Sequence, residues 1–161
     1  MLRALDLALL RLLRTRGHAP LLERAILAFT RTGEHGLLWQ ALCTLGIVLD
    51  RRRRALYRRT MRVTMLAYLV NIALKYLVRR RRPVLEGLPA LSSTVTTLSY
   101  PSAHSTTSFA AAGVLSQGLP AAPLYGCAGA MALSRAYAGV HYPSEVVAGA
   151  VLGTALGKLI Q

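Results

Sequence analysis

At 161 residues the chain has the size of one domain, and 53% apolar against 16% charged residues argues for a membrane protein rather than a soluble one. The net charge of +14 does not indicate nucleic acid, because the arginines flank apolar runs and do not line one polar helix face with interleaved aromatics; anionic lipid headgroups are the more economical partner. Six scattered acidic residues, Asp6, Glu23, Glu34, Asp50, Glu86 and Glu145, make no carboxylate cluster for Mg²⁺ or Zn²⁺, so neither a metal nor another cofactor is expected.

Leu2, Leu5, Leu9, Leu12 and Leu13 form one helical stripe and Arg3, Arg11 and Arg14 another, the pattern of a helix lying in the membrane interface. Arginines recurring through position 31 argue against a cleaved signal, so this segment is expected to stay on the protein. Gly17 to Pro20 breaks the helix, and residues 21–32 form a second apolar segment too short to span a bilayer. Gly36 to Leu49 reads as a span, 51–62 with its seven arginines as a basic loop, and Val63 to Val78 as the next span, ended by Arg79-Arg80-Arg81-Arg82-Pro83. Pro83 disfavours helical geometry at Arg82.

Residues 84–101, rich in Ser, Thr and Pro, read as a surface loop. From Ser105 to Ser134 there is no Asp, Glu, Lys or Arg, and Gly118 to Pro123 divides this stretch into a helical hairpin. The last span, Val146 to Ile160, carries Gly149, Gly153 and Gly157 on one face, a spacing that lets helices approach closely in lipid. Cys43 and Cys127 lie in apolar runs and read as buried small hydrophobes rather than a disulfide.

The expected fold is all-α: a polytopic membrane bundle of about five transmembrane helices over residues 36–161, preceded by interfacial helices in 1–33, in one domain spanning 1–161. Parity places the 51–62 loop, the 118–123 turn and the C-terminus at one membrane face, and every polar cluster at the other. The positive-inside rule puts the 51–62 arginines in the cytoplasm and the clusters outside.

Those clusters carry the chemistry. Lys75 lies four residues inside the Arg79 to Arg82 run, where an unpaired charge costs roughly 2.5–3.5 kcal/mol or more, so it needs a polar role; Arg82 offers a fork for two phosphate oxygens. Arg79, Arg80 and Arg81 read as cations snorkelling to the lipid surface. Pro101-Ser102-Ala103-His104 opens a helix with Ser102 as N-cap, whose free amides can bind phosphate, and His104 can protonate a leaving alkoxide or be an ordinary surface histidine. Ser134-Arg135 ends the next span. His141 and Glu145 follow; the carboxylate either complements the helix dipole or accepts the His141 N–H and frees the other nitrogen to attack.

Together these residues resemble the signature of the phosphatidic acid phosphatase type 2 and haloperoxidase superfamily, K-x6-R-P, P-S-G-H and S-R-x5-H-x3-D, in order and spacing over residues 75–145. The resemblance implies a metal-free lipid phosphate phosphatase in which His141 is the nucleophile that becomes phosphohistidine and His104 is the acid and later the base. Lys75, Arg82, Arg135 and the amides near Ser102 and Ala103 would hold the phosphate, and Glu145 would orient His141. Ala103 stands where the family has glycine, and Glu145 where it has aspartate. Phosphatidic acid, phosphatidylglycerophosphate, a polyprenyl diphosphate and a polyprenyl-phosphoryl sugar phosphate all fit as substrates, and a bacterial plasma membrane with an extracytoplasmic site is the expected location. The competing reading is a non-catalytic membrane protein that binds anionic lipid or a phosphorylated partner with the same cations. The membrane spans speak against a haloperoxidase.

Overall fold

Ala103–Leu115 is small or apolar on nearly every face, and it forms the helix around which the others pack. The computed structural model describes residues 2–160; the two terminal residues, and the side chain of Leu2 counted in the first stripe, lie outside that description. Within it the order is α1 (Leu2–Thr15), α2 (Pro20–Thr32), α3 (Leu37–Leu49), α4 (Arg54–Val78), α5 (Ala103–Leu115), α6 (Ala121–Tyr137) and α7 (Pro143–Leu159). Short 3₁₀ turns at Glu34–Gly36 and Arg51–Arg53 join α2 to α3 and α3 to α4. Helix α5 sits between α4, α6 and α7, while α3 packs on α4, and α1 and α2 lie against α6.

The buried faces are complementary by size. Trp39, Cys43, Tyr57, Leu115 and Leu124 form the main core cluster, and the Trp39 indole N–H donates to Ser108 Oγ at 2.9 Å. Outward, Leu45, Val48, Leu69, Leu77, Leu133 and Val151 stay exposed, an apolar surface suited to lipid tails. Both cysteines are free, with Cys43 buried in the core. By length and composition, Arg51–Val78 is long and apolar enough to cross a membrane.

The glycine face of α7 meets α5 as the spacing predicts. A Cβ on Gly149 would come within 2.6 Å of the Ser102 carbonyl oxygen, and one on Gly153 would collide with the Thr106 carbonyl and lie 3.0 Å from Ala110 N. We expect Gly153→Ala to force α7 away from α5 and cost about 1–3 kcal/mol, read as a lower thermal midpoint in detergent.

Two differences from the sequence reading have physical causes. Most of the 51–62 segment is helix: only Asp50 to Arg53 form the turn, with Asp50 accepting from the Arg53 N–H at 3.3 Å, and Arg54, Arg58, Arg59 and Arg62 ride the first turns of α4. Arginine is a good helix former, and nothing in 54–62 breaks a helix. Helix α4 ends at Val78, as read from the sequence, where Arg79 adopts a left-handed conformation (φ 55°) and its N–H bonds the Lys75 carbonyl. In α1 the stripe Leu5, Leu9 and Leu12 faces outward, and it is Asp6, Leu10 and Arg14, one turn apart, that face the protein. Arg14, grouped by sequence with the polar face, is buried and donates to Pro89 O at 2.7 Å.

The turn at Arg51–Arg53 lies beside the α5–α6 turn, where Gly118 abuts Leu56 and Arg59 donates to Gln117. Ile160 packs near Leu56 and Val63, so the C-terminus lies at the same end. The polar motifs gather at the other.

Candidate active site

Four helix ends and one long loop converge there on a cavity of about 280 Å³ lined by Lys75, Arg82, Ala103, His104, Arg135 and His141. The loop from Arg80 to Ser102 is held against the bundle by its own backbone: Ser99 N–H donates to Arg80 O at 2.8 Å, and Arg82 N–H to Thr97 O at 3.2 Å.

His141 is enclosed. Its Nδ1 lies 3.1 Å from Glu145 Oε2 and 3.1 Å from Ser99 Oγ, and its Nε2 is 3.2 Å from Arg82 Nη1. A carboxylate only accepts, so the proton belongs on Nδ1, and Nε2 presents a lone pair at the cavity. Burial, and then the cations Arg82, Lys75 and Arg135, hold the imidazole well below its ordinary pKa of 6.5, which keeps it neutral.

Glu145 is placed by the start of α7. Pro143 takes the first helical position, and the carboxylate two residues on reaches back to the Tyr142 N–H at 3.2 Å, half of a capping box. The same Oε2 also accepts from the Ser99 hydroxyl. Its other oxygen, Oε1, forms an ion pair with Arg80 Nε at 3.2 Å but lacks a well-aligned hydrogen bond. Arg80 therefore is not a lipid anchor, as its place in the basic run suggested. It stacks over the Tyr142 ring at 4.2 Å and donates to Asp6 Oδ2 at 3.0 Å.

Asp6 ties α1 to this end of the bundle, accepting from Ser144 N–H at 2.9 Å and from Ser144 Oγ. Burial pushes its carboxyl up, but the Ser144 hydrogen bonds and Arg80 outweigh that and hold it below the ordinary value of 3.8. A lowered carboxylate contributes stability in full above its unfolded pKa and loses it as pH falls through the folded one. Asp6→Ala should leave Arg80 Nη2 and the Ser144 amide without their acceptor, destabilising the protein by about 1–3 kcal/mol in thermal unfolding at neutral pH, with the difference from wild type shrinking below about pH 4.

The cations are anchored differently. Lys75 Nζ donates to Ser99 O at 2.9 Å and Pro101 O at 2.8 Å, leaving one N–H for a ligand; Asn71 Nδ2 bonds Pro101 O from the turn before, at 3.2 Å. Arg82 spans Thr96 O and Val140 O, each at 2.8 Å. Arg135 donates to Thr30 Oγ1 at 2.9 Å, and its buried Nε has no partner. His104 Nε2 is 3.0 Å from Thr30 O, and since a carbonyl only accepts, that nitrogen carries a proton.

Ser102 sits at the N-cap position without capping through its side chain. Its N–H is committed to the Glu145 carbonyl at 3.2 Å, and its buried Oγ is unpartnered. Ala103 and His104, on the cavity wall, lie in the first turn of α5, where backbone N–H groups have no intrahelical acceptor. Ala103 is not among the residues with positive φ, so the position tolerates a Cβ without backbone strain.

The structure thus brings together all eight residues singled out in the sequence, with six lining the cavity and Ser102 and Glu145 behind it. Thr30, Ser99, Asn71, Arg80 and Asp6 went unrecognised. Asp6 alone left a sequence signal, an acid on the same face as Leu10 and Arg14.

Comparison with known proteins gives the family. The chain is 37% identical over 130 residues to the decaprenylphosphoryl-5-phosphoribose phosphatase of Mycobacterium tuberculosis, covering 80% of this chain and 72% of that protein. The protein of the same description from Mycolicibacterium smegmatis is 38% identical over 124 residues, 76% and 68% of the two chains. Among solved structures, Aquifex aeolicus LpxE superposes with a TM-score of 0.83 at 30% identity, over 97% of this chain and 94% of that one. A transmembrane PAP2 type phosphatidylglycerolphosphate phosphatase from Bacillus subtilis has a TM-score of 0.78 at 22% identity, over 98% and 83%, which speaks to the fold alone. The profile of the PAP2 superfamily matches residues 59–161, so this chain belongs to the PAP2 superfamily and is an integral-membrane lipid phosphatase.

Proposed function

We propose that the chain removes the terminal phosphate of a polyprenyl-phosphoryl sugar phosphate at the extracytoplasmic face of the membrane, with His141 as nucleophile. The observation that carries this reading is the disposition of His141: Nδ1 tied to Glu145, and Nε2 free of any proton on the wall of a cavity lined by three cations.

In the first step Nε2 attacks phosphorus and the ester P–O bond breaks. The leaving alkoxide takes the Nδ1 proton of His104, which enters this step protonated on both nitrogens with its Nε2–H held by Thr30 O, and leaves it neutral. Water then attacks the phosphohistidine, gives a proton to His104, and releases phosphate and neutral His141. Lys75, Arg82, Arg135 and the amides of Ala103 and His104 neutralise the charge on the equatorial oxygens, and preorganised donors of this kind are worth about 2.7–4 kcal/mol each when removed. No step requires a metal or cofactor.

The sugar phosphate is favoured among lipid phosphates by the relatives at 37–38% identity and by the cavity rim. Glu34, His35, Tyr68, Ser93, Thr94 and Thr96 line it, a polar set suited to a hydroxylated leaving group, whereas a diacylglycerol offers far fewer hydroxyls. His35 Nδ1 lies 2.6 Å from Tyr68 OH, which fixes both groups at the mouth.

Helices α3 to α7 are the five crossing segments of this reading. Helices α6 and α7, 17 residues each, reach about 26 Å at 1.5 Å per residue and need polar flanks to complete a span of roughly 30 Å. The arginines of 51–62 mark the cytoplasmic end. Those at the site end weigh less in that balance, because Arg14, Arg80 and Arg82 are engaged within the protein. Reporter fusions after residue 53 and within 84–95 test the orientation; activity of a periplasm-dependent reporter at residue 53 would reverse it.

The substrate assignment is tested by phosphate release from detergent-purified protein in EDTA, with a polyprenyl-phosphoryl pentose 5-phosphate competing against phosphatidic acid and phosphatidylglycerophosphate. A higher kcat/KM on the sugar phosphate supports it, and preference for either glycerolipid overturns it.

A further inference from the structure

The only side-chain hydrogen bond that Arg135 makes among the described residues goes to Thr30 Oγ1, at 2.9 Å. The only one that His104 makes goes to the carbonyl of the same residue, at 3.0 Å. Two groups on different helices, α6 and α5, are thus anchored by one residue of a third. Thr30 is fully buried in the last turn of α2, where its carbonyl accepts from the Gly33 N–H at 3.1 Å and still has a lone pair for His104. Gly33, just beyond, makes this close approach feasible: a Cβ there would lie 2.6 Å from His104 Cδ2. Ser134 Oγ, 2.8 Å from Thr30 Oγ1 and 2.7 Å from Met131 O, completes the polar contacts around the hydroxyl. Helix α2 lies wholly outside residues 59–161, the region that matches the superfamily profile.

We propose that Thr30 is a positioning residue of the phosphatase: its hydroxyl sets the Arg135 guanidinium and its carbonyl sets the His104 ring, so α2 belongs to the catalytic apparatus rather than serving only as a membrane-surface helix. This rests on the reading of Arg135 as a phosphate ligand and His104 as the acid. With Nη1 bound to Thr30, the guanidinium of Arg135, a residue of the cavity wall, is fixed in one orientation, and its remaining N–H groups are left for an equatorial phosphate oxygen. Without the hydroxyl, the guanidinium has no other side-chain anchor, and a displacement near 1 Å costs on the order of 10²-fold in rate.

The variants are Thr30→Val, which keeps shape and removes the oxygen, Thr30→Ala, which removes it without bulk, and Thr30→Ser, which retains it. All three keep the carbonyl that holds His104, so any loss passes through Arg135. The readouts are kcat on a lipid phosphomonoester in detergent and inhibition by orthovanadate, which takes the five-coordinate geometry of the transition state. We expect Thr30→Val and Thr30→Ala to lower kcat and vanadate affinity about 10- to 100-fold, Thr30→Ser to stay within about 3-fold of wild type, and Thr30→Val to add less than about 3-fold to an Arg135→Ala background. A packing role predicts the reverse order, with serine, which loses the methyl group, worse than valine. The proposal is overturned if both hydroxyl-free variants match wild type, if Thr30→Ser is as slow as they are, or if the losses from Thr30 and Arg135 multiply. Where Thr30→Val does not fold, the alanine and serine pair decides. Arg135→Ala and His104→Ala are measured alongside: if these leave turnover intact the reading of the site itself fails, whereas if they abolish it and Thr30→Val does not slow it, only the role of Thr30 fails.

Discussion

His141→Ala is expected to lower phosphate release on the order of 10⁴- to 10⁶-fold while leaving the protein folded and able to bind lipid phosphate. The ring is enclosed by Arg82, Ser99 and Glu145, and no other group on the cavity wall offers an unprotonated nitrogen held by a carboxylate. Three cations and two helix amides remain in the variant to bind phosphate, so the loss should fall on kcat rather than KM. Phosphate release by His141→Ala at more than a few per cent of the wild-type rate would remove the nucleophile from this account. The pH profile gives an independent check. Because burial and the surrounding cations hold His141 well below pKa 6.5, its protonation removes activity only well below pH 6.5. An acid limb in kcat/KM above that value must belong to another group or to the substrate phosphate.

The second large effect is expected at Glu145. Glu145→Gln should lower kcat on the order of 10²- to 10⁴-fold, comparable with loss of charge from the orienting carboxylate of other catalytic triads. Oε2 accepts from His141 Nδ1, the Ser99 hydroxyl and the Tyr142 N–H, and Oε1 faces Arg80 Nε at 3.2 Å. If the amide oxygen of glutamine takes the first place, its NH₂ is left against Arg80, donor against donor; if it flips, His141 loses its acceptor. Neither arrangement keeps Nδ1 protonated and Arg80 paired. Glu145→Asp, which restores the family residue, is a finer probe. The shorter side chain cannot hold both ends, so activity should fall about 10-fold, with the contact to Arg80 lost first. The glutamate and Arg80 thus act as a pair, and Asp6 holds the arginine from behind. A wild-type rate for Glu145→Gln would show that His141 is oriented by Ser99 alone.

Much of the site was legible because its chemistry is written in short, rigid spacings. Lys75 and Arg82 bracket a helix end, Pro101 to His104 open a helix, and His141 and Glu145 flank Pro143, so local geometry nearly fixes where each side chain points. The glycine face of α7 was legible for the same reason, since small residues four apart can only serve close packing. What escaped depends on contacts distant in the chain. Thr30 reaches residues 74 and 105 positions away, with no periodicity in α2 to announce it, and Asp6 reaches Ser144 across 138, its one signal being the face it shares with Leu10 and Arg14. Arg80 was misread because a run of four arginines reads uniformly as surface charge, whereas the left-handed turn at Arg79 sends successive side chains in different directions. The 51–62 segment was read as a loop because charge was taken for irregularity; arginine has no such preference, and its length lets α4 emerge from an apolar layer with its heads in water.

The most direct test of the account is to trap the covalent intermediate. Enzyme mixed with a lipid substrate carrying ³²P in its terminal phosphate, in EDTA, and quenched in alkali within the first turnovers should carry label that is stable to base, lost in acid, and located on His141 by peptide mapping; His104→Ala should still label and hydrolyse the adduct slowly. Label absent from a preparation that turns over substrate, or present on a residue other than His141, would contradict it.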